Sequence, residues 1–168
     1  AIINSWLGAD WDDIAIALEK FGGLDRRSQE LGERRLGTGK AVRVFDDYGH
    51  HPTECEKTLK ALRTSEQPTR LICIFEPHQH SRTRFLLDQF ASCFAQADEV
   101  IVPHIYFVRD SEVEKTRVSA QDLVDRLEAK GTRALHIGSF DEIVEHLEIH
   151  CRPGDLVVTM GAGPVNRI

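Results

Sequence analysis

At 168 residues and 41% apolar composition, the chain is long enough to bury one ordinary core. Its 27 acidic residues against 21 Lys and Arg give a net charge of -6, which argues against a nucleic-acid partner, because such a surface needs a basic field to release counterions from phosphates. No apolar run approaches the roughly 18 residues of a membrane span and no basic leader precedes an apolar core, so no membrane partner is expected and the cytoplasm is the expected compartment.

The first apolar periodicity follows Asp12-Asp13, where Ile14, Ile16, Ala17, Leu18 and Phe21 recur at helical spacing and Gly22-Gly23 ends the helix. A turn over Gly37 to Lys40 leads into Ala41-Val42-Arg43-Val44-Phe45, a short β-rich run stopping at Asp46-Asp47. Thr53 with Glu56 predicts a capping box for a helix carrying Cys55, Leu59 and Leu62. Leu71 to Phe75 reads as a strand buried on both faces, and Arg84 to Ala95 as a helix with Phe85, Leu86, Phe90 and Phe94 on one stripe.

Glu99 to Val102 is the next strand. After the polar stretch Arg109 to Arg117, Leu123, Val124 and Leu127 mark a helix closed by Gly131, and Ala134 to Ile137 a further strand. Ile143, Val144 and Leu147 mark the last helix, and Asp155 to Thr159 a strand running into Gly161-Ala162-Gly163. Cys55, Cys73, Cys93 and Cys151 are scattered without a C-x-x-C pair and are expected as reduced thiols. The start at Ala1 without Met, and the stop shortly after Gly163-Pro164, lead us to expect a piece of something larger.

Alternating strands and helices predict one α/β domain, a Rossmann-like, mostly parallel open sheet with helices on both faces. Ligands in such sheets sit beyond the carboxyl ends of the strands. There the sequence places Asp46 to Pro52, Glu76 to Arg84, Pro103-His104 and the Gly161 to Gly163 turn.

Three readings of this rim compete. A metal site could use the His and Asp residues, but neither His50-His51 nor His78-x-His80 has the spacing of a helical ligand pair, so no metal ligands are assigned. The same residues could be caps and satisfied turn residues. An anion and nucleotide rim fits the chemistry best: Arg82 can grip a carboxylate or phosphate, His78 can add a hydrogen bond, and Asp47 can accept ribose hydroxyls. A helix starting near Ser81 would aim its positive end at the same anion. Gly161-Ala162-Gly163 is a weak dinucleotide match, since Asn166 replaces the third glycine, and no P-loop motif is present.

The string Asp46-Asp47-Tyr48-Gly49-His50-His51-Pro52-Thr53-Glu54 resembles a signature in the third domain of the Mur ligase family, in the form carried by members that join L-alanine to UDP-N-acetylmuramate. Arg26-Arg27 upstream, Pro77-His78 through Ser81-Arg82-Thr83-Arg84 downstream, and Met160-Gly161-Ala162-Gly163 match in order. The resemblance implies a three-domain, ATP-dependent, amide-forming ligase of peptidoglycan synthesis. ATP phosphorylates the substrate carboxylate and the amine of L-alanine attacks the acyl phosphate. Residues 1–24 would be the end of the central ATP-binding domain and a hinge, and 25–168 the C-terminal domain, inactive alone. ATP and Mg2+ would be held mainly by the absent central domain.

By motif, Arg27 and Asp47 resemble ATP-binding residues, towards phosphate and ribose respectively. Tyr48, His50, His78 and Arg82 resemble residues facing the amino acid and the muramoyl carboxylate, where they would orient groups and stabilise charge. Relatives commonly have Arg where Gln79 stands, and Asn-Ile where Pro164-Val165 follow Gly163. Alternatives are a ligase that recycles a preformed tripeptide, a non-catalytic α/β binding module, and a metal-dependent hydrolase using His50, His78 and a carboxylate.

Overall fold

The computed structural model describes residues 6–37 and 39–168; Thr38 of the expected turn and residues 1–5 of the expected hinge segment lie outside them. Six strands form one sheet: β1 (Gln29–Arg35), β2 (Ala41–Asp47), β3 (Arg70–Phe75), β4 (Glu99–Val102), β5 (Ala134–His136) and β6 (Asp155–Met160). Their order is β1-β2-β6-β3-β4-β5, with β1 antiparallel to β2 and every other pairing parallel. The last strand is therefore inserted at the centre, between β2 and β3.

The expected fold class is the observed one. The period of two along β3 sends Leu71, Cys73 and Phe75 to one face and Ile72 and Ile74 to the other. On the first face lie α2 (Pro52–Glu66), α3 (His80–Phe85), α4 (Leu87–Cys93) and α6 (Ala120–Ala129), whose Leu59, Phe90, Phe94, Leu123 and Leu127 fill the larger core. On the second, α7 (Phe140–His150) packs Ile143 and Leu147 with Val165 from a 3-10 turn, Pro164–Arg167. Burial of each such Leu or Phe contributes about 2 kcal/mol. All four cysteines are free and buried inside these layers.

Several local expectations are corrected. The helix expected over Arg84 to Ala95 is two short ones, broken at Leu86 (φ -106°, ψ 12°), so Phe85 is swung outward, 72% exposed, with the Arg84 guanidinium over its ring. The capping box of α2 is His51 with Glu54, not Thr53 with Glu56, because Pro52 takes the first helical position, where its missing N–H costs nothing. The strand β1, Gln-Glu-Leu-Gly-Glu-Arg-Arg, has no signal in the sequence: an edge strand with little buried surface needs no apolar alternation, and a register shift at Glu30/Gly32 breaks its period. The polar stretch 109–117 contains a further short helix, α5 (Glu112–Lys115). In α1 (Trp11–Glu19) only Ile14 is buried, while Trp11, Ile16 and Leu18 are exposed.

Candidate functional site

Because β6 returns between β2 and β3, the segments leaving β3 and β6 diverge to opposite faces: β3 feeds α3 and α4, and β6 feeds the 3-10 turn. A crevice at the carboxyl ends follows from that divergence. Its floor is built from Asp46-Asp47, Glu76 and Gly161.

Both aspartates are buried, and each anchors an upstream segment. Asp46 accepts from Arg26 Nε at 2.9 Å and from the Thr159 hydroxyl at 2.6 Å, while a second Arg26 nitrogen donates to the Gly161 carbonyl at 2.7 Å. Asp47 accepts the amides of Gly49 and Ser28, both at 2.7 Å. Arg26 (φ +57°) and Ser28 (φ +45°) adopt the left-handed region, a strain these bonds hold in place. The result is that Arg26 and Arg27 both overlie the Tyr48 ring, at 5.1 and 5.4 Å from its centroid. Arg27 is exposed, and no carboxylate pairs with it among the described residues.

From Tyr48 the site continues as a line of side chains. The Tyr48 and His50 rings meet edge-on at 5.5 Å, the His50 and His78 rings lie 6.2 Å apart, and Arg82 reaches to 3.5 Å from His78 Nδ1. His50 is oriented by the Tyr48 carbonyl, 3.1 Å from its Nδ1, and by Glu54, which accepts the His50 and His51 amides. Burial opposes ionisation of Glu54, but those two amides and the charges of His50 and Arg27 outweigh it and leave its pKa lowered. For His78, burial and then the positive charges of Arg82, His50 and Arg109 lower the pKa, which favours a neutral ring able to accept or donate one hydrogen bond. All six residues singled out from the sequence, Arg27, Asp47, Tyr48, His50, His78 and Arg82, thus come together on one rim.

Other expectations about this rim change. The helix end near Ser81 belongs to the six-residue α3, and its Ser81 amide already donates to Asp110 at 2.9 Å, so that helix offers no free positive end. Gln79 (φ +71°) turns its side-chain amide away, donating to the Val108 and Arg109 carbonyls at 3.2 and 3.3 Å. His80 is buried with its ring against Phe107, and His104, which is exposed, meets the His136 ring edge-on; neither joins the His50–His78 pair.

Glu76, which belongs to no motif, is 3% exposed just past the end of β3. Burial raises its pKa to about 7, opposed by the Val165 amide and the charge of Arg26. Its side chain accepts from Val165 at 3.2 Å, and a Cβ on Gly163 would collide with its carboxylate, so the Gly161 to Gly163 turn is shaped by close packing on Glu76. Glu76 also lines a cleft of about 260 Å³ with Tyr106, His104 and Phe140. Its burial beneath two glycines carries no period or motif, which is why only the structure reveals it.

Among the described residues no three His, Cys, Asp or Glu side chains are gathered closely enough to hold a metal ion. What the rim offers is imidazoles between arginines that have no acidic partner among the described residues, suited to holding anionic oxygens in fixed geometry.

The family model described as "Mur ligase, glutamate ligase domain" matches residues 26–163. The UDP-N-acetylmuramate–L-alanine ligase of Acetivibrio thermocellus is 36% identical over 162 residues, covering 96% of this chain and 33% of the relative. That of Desulfotalea psychrophila is 42% identical over 153 residues, covering 90% and 32%. The chain therefore spans about a third of the length of the curated relatives it matches. The crystal structure of UDP-N-acetylmuramate-alanine ligase from Thermotoga maritima superposes with a TM-score of 0.74 at 25% identity, over 99% of this chain and 33% of that one. The chain belongs to the Mur ligase family, as its C-terminal domain.

Proposed function

We propose that this domain closes one face of an ATP-dependent ligase that joins L-alanine to UDP-N-acetylmuramate in peptidoglycan synthesis, and that it is inactive alone. The observation that carries the proposal is the line Arg27–Tyr48–His50–His78–Arg82, with an arginine at each end that has no acidic partner among the described residues. The Arg27 end suits a nucleotide phosphate, and the Arg82 end suits the carboxylates of the amino acid and the muramoyl group. Between them, His50 and His78 orient the reacting groups and stabilise charge on the tetrahedral intermediate. Asp47 acts first by fixing the Arg26–Ser28 segment; in this reading its remaining lone pairs would accept the ribose hydroxyls.

ATP with Mg2+ supplies activation of the carboxylate as an acyl phosphate. This chain fits one wall of the nucleotide site through Arg27 and Asp47, and residues of the preceding domain hold the metal and the phosphates. Residues up to 24 belong to that domain and its hinge: the family match begins at 26, and Trp6, Leu7, Trp11, Phe21 and Leu24 are exposed, as side chains that pack against another domain would be. No helix of the described residues is long and apolar enough to cross a membrane, in keeping with a cytoplasmic enzyme.

The test is phosphate release by the full-length enzyme given ATP, UDP-N-acetylmuramate and L-alanine together, with a preformed tripeptide as the competing acceptor. Release dependent on L-alanine supports the reading. Preference for the tripeptide moves the enzyme to the recycling reaction, and no release with either acceptor overturns the assignment.

A further inference from the structure

We propose that Arg109 is a second anion-gripping residue, which acts with Arg82 beside His78 on the carboxylate of the amino-acid substrate. The inference rests on the ligase reading for the identity of that carboxylate.

The placement of Arg109 comes from a loop stitched onto the site. Tyr106 donates its amide to the Pro77 carbonyl at 2.8 Å, and Gln79 donates its own to the Tyr106 carbonyl at 3.0 Å. The Gln79 side chain then binds the carbonyls of Val108 and Arg109. Gln79 and Arg109 both hold the left-handed region, at φ +71° and +49°, which is unfavourable for residues with a Cβ. Two strained residues joined to each other beside a binding line mark a built feature, and its effect is to hold the Arg109 backbone against the side chain of Gln79, the neighbour of His78.

Charge bookkeeping gives the feature its chemistry. The neighbouring arginines are compensated: Arg84 and Arg117 both pair with Glu114. Arg82 and Arg109 have no carboxylate partner among the described residues, and after burial their charges, with that of His50, lower the His78 pKa. The nearest acid in sequence, Asp110, accepts from the Ser81 and Ser111 amides instead. Arg82 at 3.5 Å from His78 and Arg109 on the loop tied to Gln79, with the local acid engaged elsewhere, suit a single oxyanion. Gln79 carries no charge; its amide positions the loop, and Arg109 supplies the cation. The pair lies at the end of the line remote from Arg27, which selects a substrate carboxylate rather than a nucleotide phosphate.

Two experiments test this. In the full-length enzyme, Arg109→Ala should raise KM for L-alanine about tenfold or more while leaving KM for ATP within about twofold, with Arg109→Lys recovering part of the loss. Arg117→Ala, a paired arginine nearby, should change neither. In the 168-residue chain, NMR titration should show the His78 pKa rising in Arg109→Ala and unchanged in Arg117→Ala, and acetate should perturb His78 in the parent but not in Arg109→Ala.

An unmoved His78 pKa together with an unmoved KM for L-alanine overturns the proposal. An equal rise in KM for ATP overturns the carboxylate assignment in favour of phosphate. If the full-length enzyme ignores L-alanine while acetate still perturbs His78 through Arg109, the ligase reading fails and the anion grip stands.

Discussion

The two ends of the parallel sheet are both rich in charge, and they treat it in opposite ways. At the amino ends, Arg70 grips Asp155 through two bonds of 3.0 and 2.5 Å, and buried Glu99 is ringed by His146 at 3.3 Å, Arg133 at 3.8 Å and Arg70 at 3.9 Å. Each charge there closes on a protein partner. At the carboxyl ends Arg27, Arg82 and Arg109 close on none among the described residues, although Asp46 and Asp47 are buried close by and engaged elsewhere. Charge that is internally satisfied maintains the fold, and charge left open is kept for something that arrives.

The comparison is broken most directly at the amino end. Asp155→Ala strands Arg70 beside the Glu99 network and should lower unfolding free energy by about 3–4 kcal/mol in urea titration, without altering ligand affinity of whatever folds. A loss below about 1 kcal/mol would mean that this end, too, is merely solvated charge. Arg82→Ala is the mirror image. It should leave stability within about 0.5 kcal/mol and reduce kcat/KM of the full-length enzyme about 100-fold. A large stability loss would turn the rim arginine into a structural residue.

Glu76 lies on the boundary between the two kinds. Its folded pKa of about 7 lies above the ordinary 4.5, so between those values the folded state binds more protons than the unfolded one. Stability contributed by the neutral carboxyl is full below about pH 4.5 and is lost as pH rises through about 7. The loss is on the order of 2 kcal/mol, allowing for the cleft that opens beside the side chain. Glu76→Gln should flatten that part of the pH–stability profile, and a profile unchanged by the substitution would remove the assignment. The smallest effect sharpens the adjacent histidines: His51→Ala removes the cap of α2 and should cost about 1 kcal/mol with substrate KM unmoved, whereas His50→Ala should move KM and leave stability nearly intact.

That contrast between His50 and His51 also marks what could be read in the sequence. The rim residues were legible because each follows a short apolar run that can only be a buried strand, and because D-D-Y-G-H-H-P names them in order. What escaped had no local pattern. β1 is an edge strand with little to bury, the break at Leu86 divides a helical stripe that looks continuous, and the importance of Glu76 comes from glycines 85 and 87 residues further along the chain. Arg109 was lost in a polar stretch whose meaning lies in the carbonyls it offers to Gln79.

The central insertion of β6 has a consequence for how the molecule is made. As the chain emerges during synthesis, β2 and β3 are complete long before Asp155–Met160, yet β6 is the strand that pairs with both. Until it arrives, two buried apolar edges stand open and Glu76 lacks the turn that packs on it. The crevice therefore needs β6 in place to join β2 to β3, and a chain lacking it is expected to be a split sheet. A ribosome-stalled chain ending before residue 155 should be protease-sensitive and prone to edge-to-edge association, and release of the final strand should protect it in one cooperative transition.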